Sequence, residues 1–323
     1  PATLQAQDEV YLVGNVNDWQ LEGERAVKLN RVGDQLVADI TTEKEQLFFT
    51  FVKNKDWRHA PASKTGNGLC TFHLNVKADK DPFLFEVPAW KTDTPTMTAR
   101  DTLTGQIDVI ANFEMSELQR EGDILVYLPP NYSISDSAHF PVMYMLDGQN
   151  LFIRKTAYSD EWQIDESMEK LIANKAVKDT IIVAIPNGPK RWHEYNPWPY
   201  LDQKGELQQG KGHDTLNFIK NNLKPFIDGK FRTKKDRKNT GLAGSSLGGL
   251  MALYAALEHS DTFGFVGAFS PSLGVVNTHN EGVLAAALKQ HQTIETRVYV
   301  DMGKLEYDGY QEFDELIFHL RDK

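Results

Sequence analysis

Over the first ninety positions, apolar residues alternate with polar ones in short runs separated by turn residues: Glu9 to Gly14, Leu36 to Ile40, Leu47 to Lys53, Leu69 to Val76 and Phe83 to Val87. Short strands at this spacing predict a small immunoglobulin-like β-sandwich over residues 1–90. From Lys91 to Thr104 the chain shifts to Thr, Asp and Pro with little apolar content, and 91–103 reads as a linker. Beyond it, continuous apolar runs alternate with helical periodicity. Strands are expected at Ile124 to Leu128, Val142 to Leu146, Ile181 to Ile185, Asn239 to Ala243, Phe265 to Phe269 and Arg297 to Val300. Helices are expected around Trp162 to Asn174, Thr215 to Ile227, Leu247 to Leu257, Val283 to Gln290 and Gln311 to Leu320. Alternation of this kind over 104–323 predicts an α/β domain with a doubly wound, mostly parallel sheet covered on both faces.

Composition narrows the partners. The 323 residues carry a formal net charge of −10, and the densest basic stretch, Arg232 to Lys238, falls in an expected loop. A nucleic-acid partner is therefore not expected. No apolar stretch is long enough to span a bilayer. A single cysteine, Cys70, rules out an internal disulfide and a cysteine metal cluster, and is expected as a buried small apolar residue. So little cysteine suits periplasm, extracellular space or cytoplasm; a periplasmic or secreted protein is the expectation.

The candidate chemistry centres on Thr240-Gly241-Leu242-Ala243-Gly244-Ser245-Ser246-Leu247-Gly248-Gly249-Leu250. An apolar strand, a tight small-residue turn around a serine and a helix with Leu250, Leu253, Tyr254 and Leu257 on one face form the nucleophile elbow of an α/β-hydrolase. Glycines two before and two after Ser246 would let the chain turn sharply and leave the hydroxyl unshielded. The amide of Leu247, at the helix start, would then donate to an oxyanion, aided by the helix dipole. In this fold the acid follows the nucleophile, so Asp301, Glu306 and Asp308, after the Arg297 to Val300 strand, are the candidates.

Further motifs carry a resemblance. Val126-Tyr127-Leu128-Pro129-Pro130-Asn131-Tyr132, Phe140 to Phe152 with Leu146-Asp147-Gly148-Gln149-Asn150, Arg191-x-x-Glu194-Tyr195, Phe231-Arg232-Thr233 and Ser270-Pro271-Ser272 occur in order. Together they resemble the esterase family that includes enterochelin esterase and feruloyl esterases, from about Thr104 to the end. The resemblance implies a serine carboxylic-ester hydrolase that needs no metal or organic cofactor. It implies a second oxyanion donor at the amide of Gln149, with Gly148 next, and Glu306 as the acid within Asp301-Met302-Gly303-x-x-Glu306. It also implies a histidine one helix and one strand further on, placing the base beyond Lys323, ahead of a lost base or one from another subunit. His319 sits inside an expected helix and reads as a surface or packing residue, and His193 and His213 as substrate contact or cap.

The loop Arg191-Trp192-His193-Glu194-Tyr195-Asn196-Pro197-Trp198-Pro199-Tyr200 follows a strand end and is expected to overhang Ser246. Trp192, Tyr195 and Trp198 could hold a sugar or an aromatic acyl group, and Arg191 an anionic substituent or a bridge to Glu194. Tyr11 to Trp19 and Lys53 to Trp57 resemble the glycogen-binding sandwich of starch-active enzymes and of the AMP-activated kinase β subunit. That resemblance implies sugar stacking on Trp19 and Trp57, although Thr50 stands where that family carries a lysine. The expected substrate is a small-molecule or glycan ester, either an acylated carbohydrate or a siderophore-type lactone. A non-catalytic glycan binder and an acyltransferase are the rival readings.

Overall fold

The computed structural model describes the chain apart from residues 1–3, 6, 15, 18–20, 22, 56–59, 63–71, 77–81, 88, 91–102, 159, 203–204, 292, 304–309 and 322–323. Trp19, Trp57, Cys70, Glu306 and Asp308 therefore lie outside the described residues. The chain divides into two compact units, one holding described residues of 1–101 and 154–161, the other those of 102–153, 162–304 and 309–323.

The first unit is built on β1 (Val10–Gly14), β2 (Val27–Lys28), β3 (Asn30–Val32), β4 (Gln35–Val37), β5 (Gln46–Lys53), β6 (Pro61–Ala62), β7 (Phe72–Asn75) and β8 (Ala89–Trp90). Four strands form an antiparallel sheet in the order β2-β1-β5-β7, and β3–β4 and β6–β8 pair separately. Every residue of β1 is buried, as a strand covered on both faces must be. Phe83 to Val87, expected as a strand, joins no ladder. Its alternation still has a cause: Phe83, Phe85 and Val87 pack on the core of Val10, Leu12, Phe49, Phe51 and Trp90. The period-two signal marked a side-chain face, not a backbone partner. Thr50 is fully buried and offers nothing to a sugar.

The second unit holds β9 (Gln106–Met115), β10 (Arg120–Leu128), β11 (Val142–Leu146), β12 (Ile181–Ile185), β13 (Tyr200–Leu201), β14 (Leu207–Gln208), β15 (Thr240–Ser246), β16 (Phe265–Pro271) and β17 (Arg297–Asp301). Seven of these form one sheet in the order β17-β16-β15-β11-β12-β10-β9. The run from β12 to β17 is parallel, and β10 is antiparallel to both its neighbours. Along β12, Ile181, Val183 and Ile185 enter one core while Ile182 and Ala184 enter the other. Both faces are covered, so β12 reads as an unbroken apolar run. The sequence reading missed β9, whose edge position leaves only Met115 buried and blurs the apolar alternation.

The helices are α1 (Ile164–Ala173), α2 (Arg191–Glu194), α3 (Gly212–Phe218), α4 (Lys224–Lys230), α5 (Leu247–Glu258), α6 (Val283–Gln290) and α7 (Tyr310–Arg321). A π-helical stretch, Ile219–Leu223, joins α3 to α4. Pro225 stands in the first turn of α4 and has no N–H to give, so the hydrogen-bond ladder widens just before it. The α5 helix, expected to be amphipathic, is apolar almost all round, with Leu247, Leu250, Met251, Ala252, Leu253, Ala255 and Ala256 buried. It packs on β15 and β16 inside the larger core, which leaves it no broad polar face.

Candidate active site

Parallel strands deliver their ends to one edge of a sheet, and in such folds sites form there. Here the carboxyl ends of β11, β12, β15, β16 and β17 supply Asp147, the Asn187 to Glu194 segment, Ser246, Ser270 to Ser272 and Asp301. Ser246 closes β15 with φ 57° and ψ −123°, directly before α5. A serine in this position commonly caps its own helix, yet this side chain makes no cap bond. Its Oγ instead faces the Ser272 Oγ at 3.0 Å, while the Ser272 amide donates to the Ser246 carbonyl at 3.0 Å. Leu247 opens α5, where amides have no intrahelical acceptor.

The elbow glycines act differently from expectation. Left-handed backbone falls on Ser246 itself, and neither Gly244 nor Gly248 has a positive φ. A Cβ on Gly244 would meet the Gly248 backbone at 2.7 Å, and one on Gly249 would meet Pro271 Cα at 2.9 Å. These two glycines let the helix start lie against β15 and β16. A Cβ on Gly248 would rest in ordinary contact, 3.4 Å from Asp147 Oδ2.

The turn after β11 begins at Asp147, buried and left-handed (φ 55°, ψ 43°), and continues as the short helix Gly148–Asn150. A Cβ on Gly148 would lie 2.5 Å from the backbone of Ala184 and Ile185, so only glycine fits against β12. The Gln149 side chain donates to Asn187 Oδ1 and accepts from the Asn187 amide at 3.3 Å, tying this turn to the one after β12.

Arg191 and Tyr195, expected at the substrate wall, are both bonded to Asp147. The Arg191 guanidinium forks onto Asp147, Nε to Oδ1 and Nη2 to Oδ2, each at 2.7 Å. The expected bridge from Arg191 to Glu194 is replaced by one from Arg120, whose Nε and Nη2 reach the Glu194 carboxylate at 2.9 Å each. Tyr195 is only 1% exposed, and its hydroxyl accepts the Asp147 amide at 3.1 Å. Burial, reinforced by the Asp147 carboxylate, pushes its phenol well above the ordinary range, so it stays protonated. Trp198 packs edge-on against Tyr254 of α5. Trp192 alone of the four keeps an open surface, 47% exposed and stacked on Tyr200.

The His193 ring faces the Gln209 carbonyl at 3.3 Å, and His213 Nε2 faces Asp214 at 3.0 Å. The His319 side chain lies outside what is described. Asp301 is occupied in structure, accepting from the Ser270 amide at 3.2 Å and the Tyr299 hydroxyl at 3.0 Å. Sequence reasoning missed Asp147, Tyr195 and Ser272 as parts of one arrangement because their partners are dozens of residues away. Among the described residues no His, Cys, Asp and Glu group could hold a metal ion, and no helix is long and apolar enough to cross a membrane.

Comparison with known proteins agrees with this architecture. The enterobactin esterase of Shigella flexneri, solved in the presence of enterobactin, superposes with a TM-score of 0.58 at 17% identity, covering 97% of this chain and 79% of that one. An IroE-like serine hydrolase from Shewanella oneidensis gives 0.51 at 21% identity, over 68% of this chain and 70% of that one. The uncharacterized protein YbbA of Bacillus subtilis is 29% identical over 183 residues, 56% of this chain and 67% of its own length. A family profile described as "Putative esterase" matches residues 115–318. The chain belongs to that esterase family and is an ester-hydrolysing enzyme with an α/β-hydrolase fold.

Proposed function

We propose that the ester is cleaved through an acyl-enzyme on Ser246. The observation that carries this reading is the strained backbone of Ser246 at the β15–α5 junction, which holds the hydroxyl off its own helix and in the open. The Oγ attacks the ester carbonyl as the base takes its proton, and the amides of Leu247 and Gln149 stabilise the oxyanion. Collapse breaks the bond to the alcohol, which leaves with a proton from the base, and water then releases the acid. The reading assigns the base to a histidine oriented by Glu306. Trp192 stacked on Tyr200 supports a sugar or aromatic acyl group beside the site, as in acylated carbohydrates or siderophore-type lactones.

A fluorophosphonate probe followed by intact mass measurement tests the nucleophile. A single adduct on the wild type that is lost in Ser246→Ala supports the reading. An unlabelled wild type, or a labelled alanine variant, overturns it.

A further inference from the structure

We propose that Arg191, Asp147 and Tyr195 form a positioning clamp that sets the spacing between the two oxyanion donors. This rests on the Ser246 acyl-enzyme reading and extends it to residues whose sequence context suggested substrate contact. Asp147 is the hinge. A non-glycine residue in left-handed conformation costs about 1 kcal/mol or more, and persists where its surroundings hold it.

Three bonds hold it. The Arg191 fork fixes both carboxylate oxygens at 2.7 Å, and the Tyr195 hydroxyl accepts the Asp147 amide at 3.1 Å. A bidentate pair of this kind fixes orientation as well as distance. Arg191 Nη2 also donates to the Ser245 carbonyl at 3.3 Å, one residue before the nucleophile. Beneath the guanidinium lies the Tyr195 ring, 5.1 Å away at its centroid.

One guanidinium therefore joins the turn after β11, which carries Gln149, to the elbow after β15, which carries Leu247. On the other side, the Asp147 carboxylate lies near Gly248 in the first turn of α5. Oxyanion stabilisation requires both donors to be in place before charge develops, and a small misplacement removes most of the benefit. Arg191 and Tyr195 act on the transition state through Asp147.

The test is steady-state kinetics of the full chain and of Arg191→Met, Arg191→Lys, Asp147→Asn, Tyr195→Phe and the Arg191→Met/Asp147→Asn double variant. Two p-nitrophenyl esters are compared, a neutral butyrate and an anionic succinate half-ester. Arg191→Met should lower kcat about a hundredfold on both esters and leave KM within about threefold. Lysine should restore little, since an ammonium cannot fork. The double variant should be no worse than the poorer single one, because the residues act as a unit. Tyr195→Phe, which keeps the ring and so the packing, should lose about tenfold in kcat.

A loss confined to KM for the anionic ester would overturn the clamp and make Arg191 an anion receptor. Unchanged kcat in both Tyr195→Phe and Arg191→Lys would overturn it too. Unchanged variants of a probe-labelled wild type overturn the clamp alone, whereas an unlabelled wild type removes the oxyanion site and overturns both readings.

Discussion

At the scale of single residues, the elbow turns on backbone strain. Ser246 carries φ 57°, where a Cβ is disfavoured, so Ser246→Gly and Ser246→Ala separate hydroxyl from strain. Both should abolish turnover, and the glycine variant should be the more stable by about 1 kcal/mol, read from denaturant midpoints. Equal stability would mean that the strain is absent. The glycines around it divide by what they touch. Gly244→Ala should be strongly destabilising and inactive, because its Cβ meets backbone at 2.7 Å. Gly248→Ala, at 3.4 Å from a carboxylate oxygen, should fold and keep measurable activity. The sequence motif alone treats the two glycines as equivalent; the packing of helix start on strand does not.

At the scale of elements, the start of α1 holds a buried carboxyl. Asp165 is fully buried, accepts the Thr104 amide at 2.8 Å, and lies beside Glu166. Burial is the main cause that pushes its pKa from 3.8 up to about 6, with Glu166 adding to it and the Thr104 amide opposing it. The folded state then binds the proton more tightly than the unfolded chain. Stability from this group is full below about pH 4 and is lost as pH rises through about 6. The Asp165→Asn variant, which can still accept from Thr104, should therefore gain relative to wild type between about pH 4.5 and about pH 7.5, measured by urea midpoints. A stability difference independent of pH would contradict this. How legible each element was in the sequence also follows from its surroundings. Val142–Leu146, Ile181–Ile185 and Val283–Gln290 have the bounds expected from sequence, since buried parallel strands and a well-patterned helix announce themselves. The β9 edge strand, the π stretch and the unladdered Phe83 to Val87 segment did not, because their identity depends on neighbours distant in the chain.

At the scale of the whole molecule, the order of strands in the larger sheet converts scattered motifs into one edge. Ser246 was readable because its strand, turn and helix are contiguous. The partners of Arg191 were not: Asp147 is 44 residues away and Ser245 is 54, and only the parallel register of β11 beside β15 brings them together. For the same reason a motif-level pairing of Arg191 with Glu194 gave way to Arg120, 74 residues from Glu194. Whether Ser246 carries the acyl group is read by rapid mixing with p-nitrophenyl butyrate followed by acid quench, intact mass and peptide mapping. A burst of about one p-nitrophenol per chain is expected, with a butyryl mass on the peptide containing Ser246 and neither in Ser246→Ala. Hydrolysis by the alanine variant at the wild-type rate, with no acylated peptide in either protein, would contradict it.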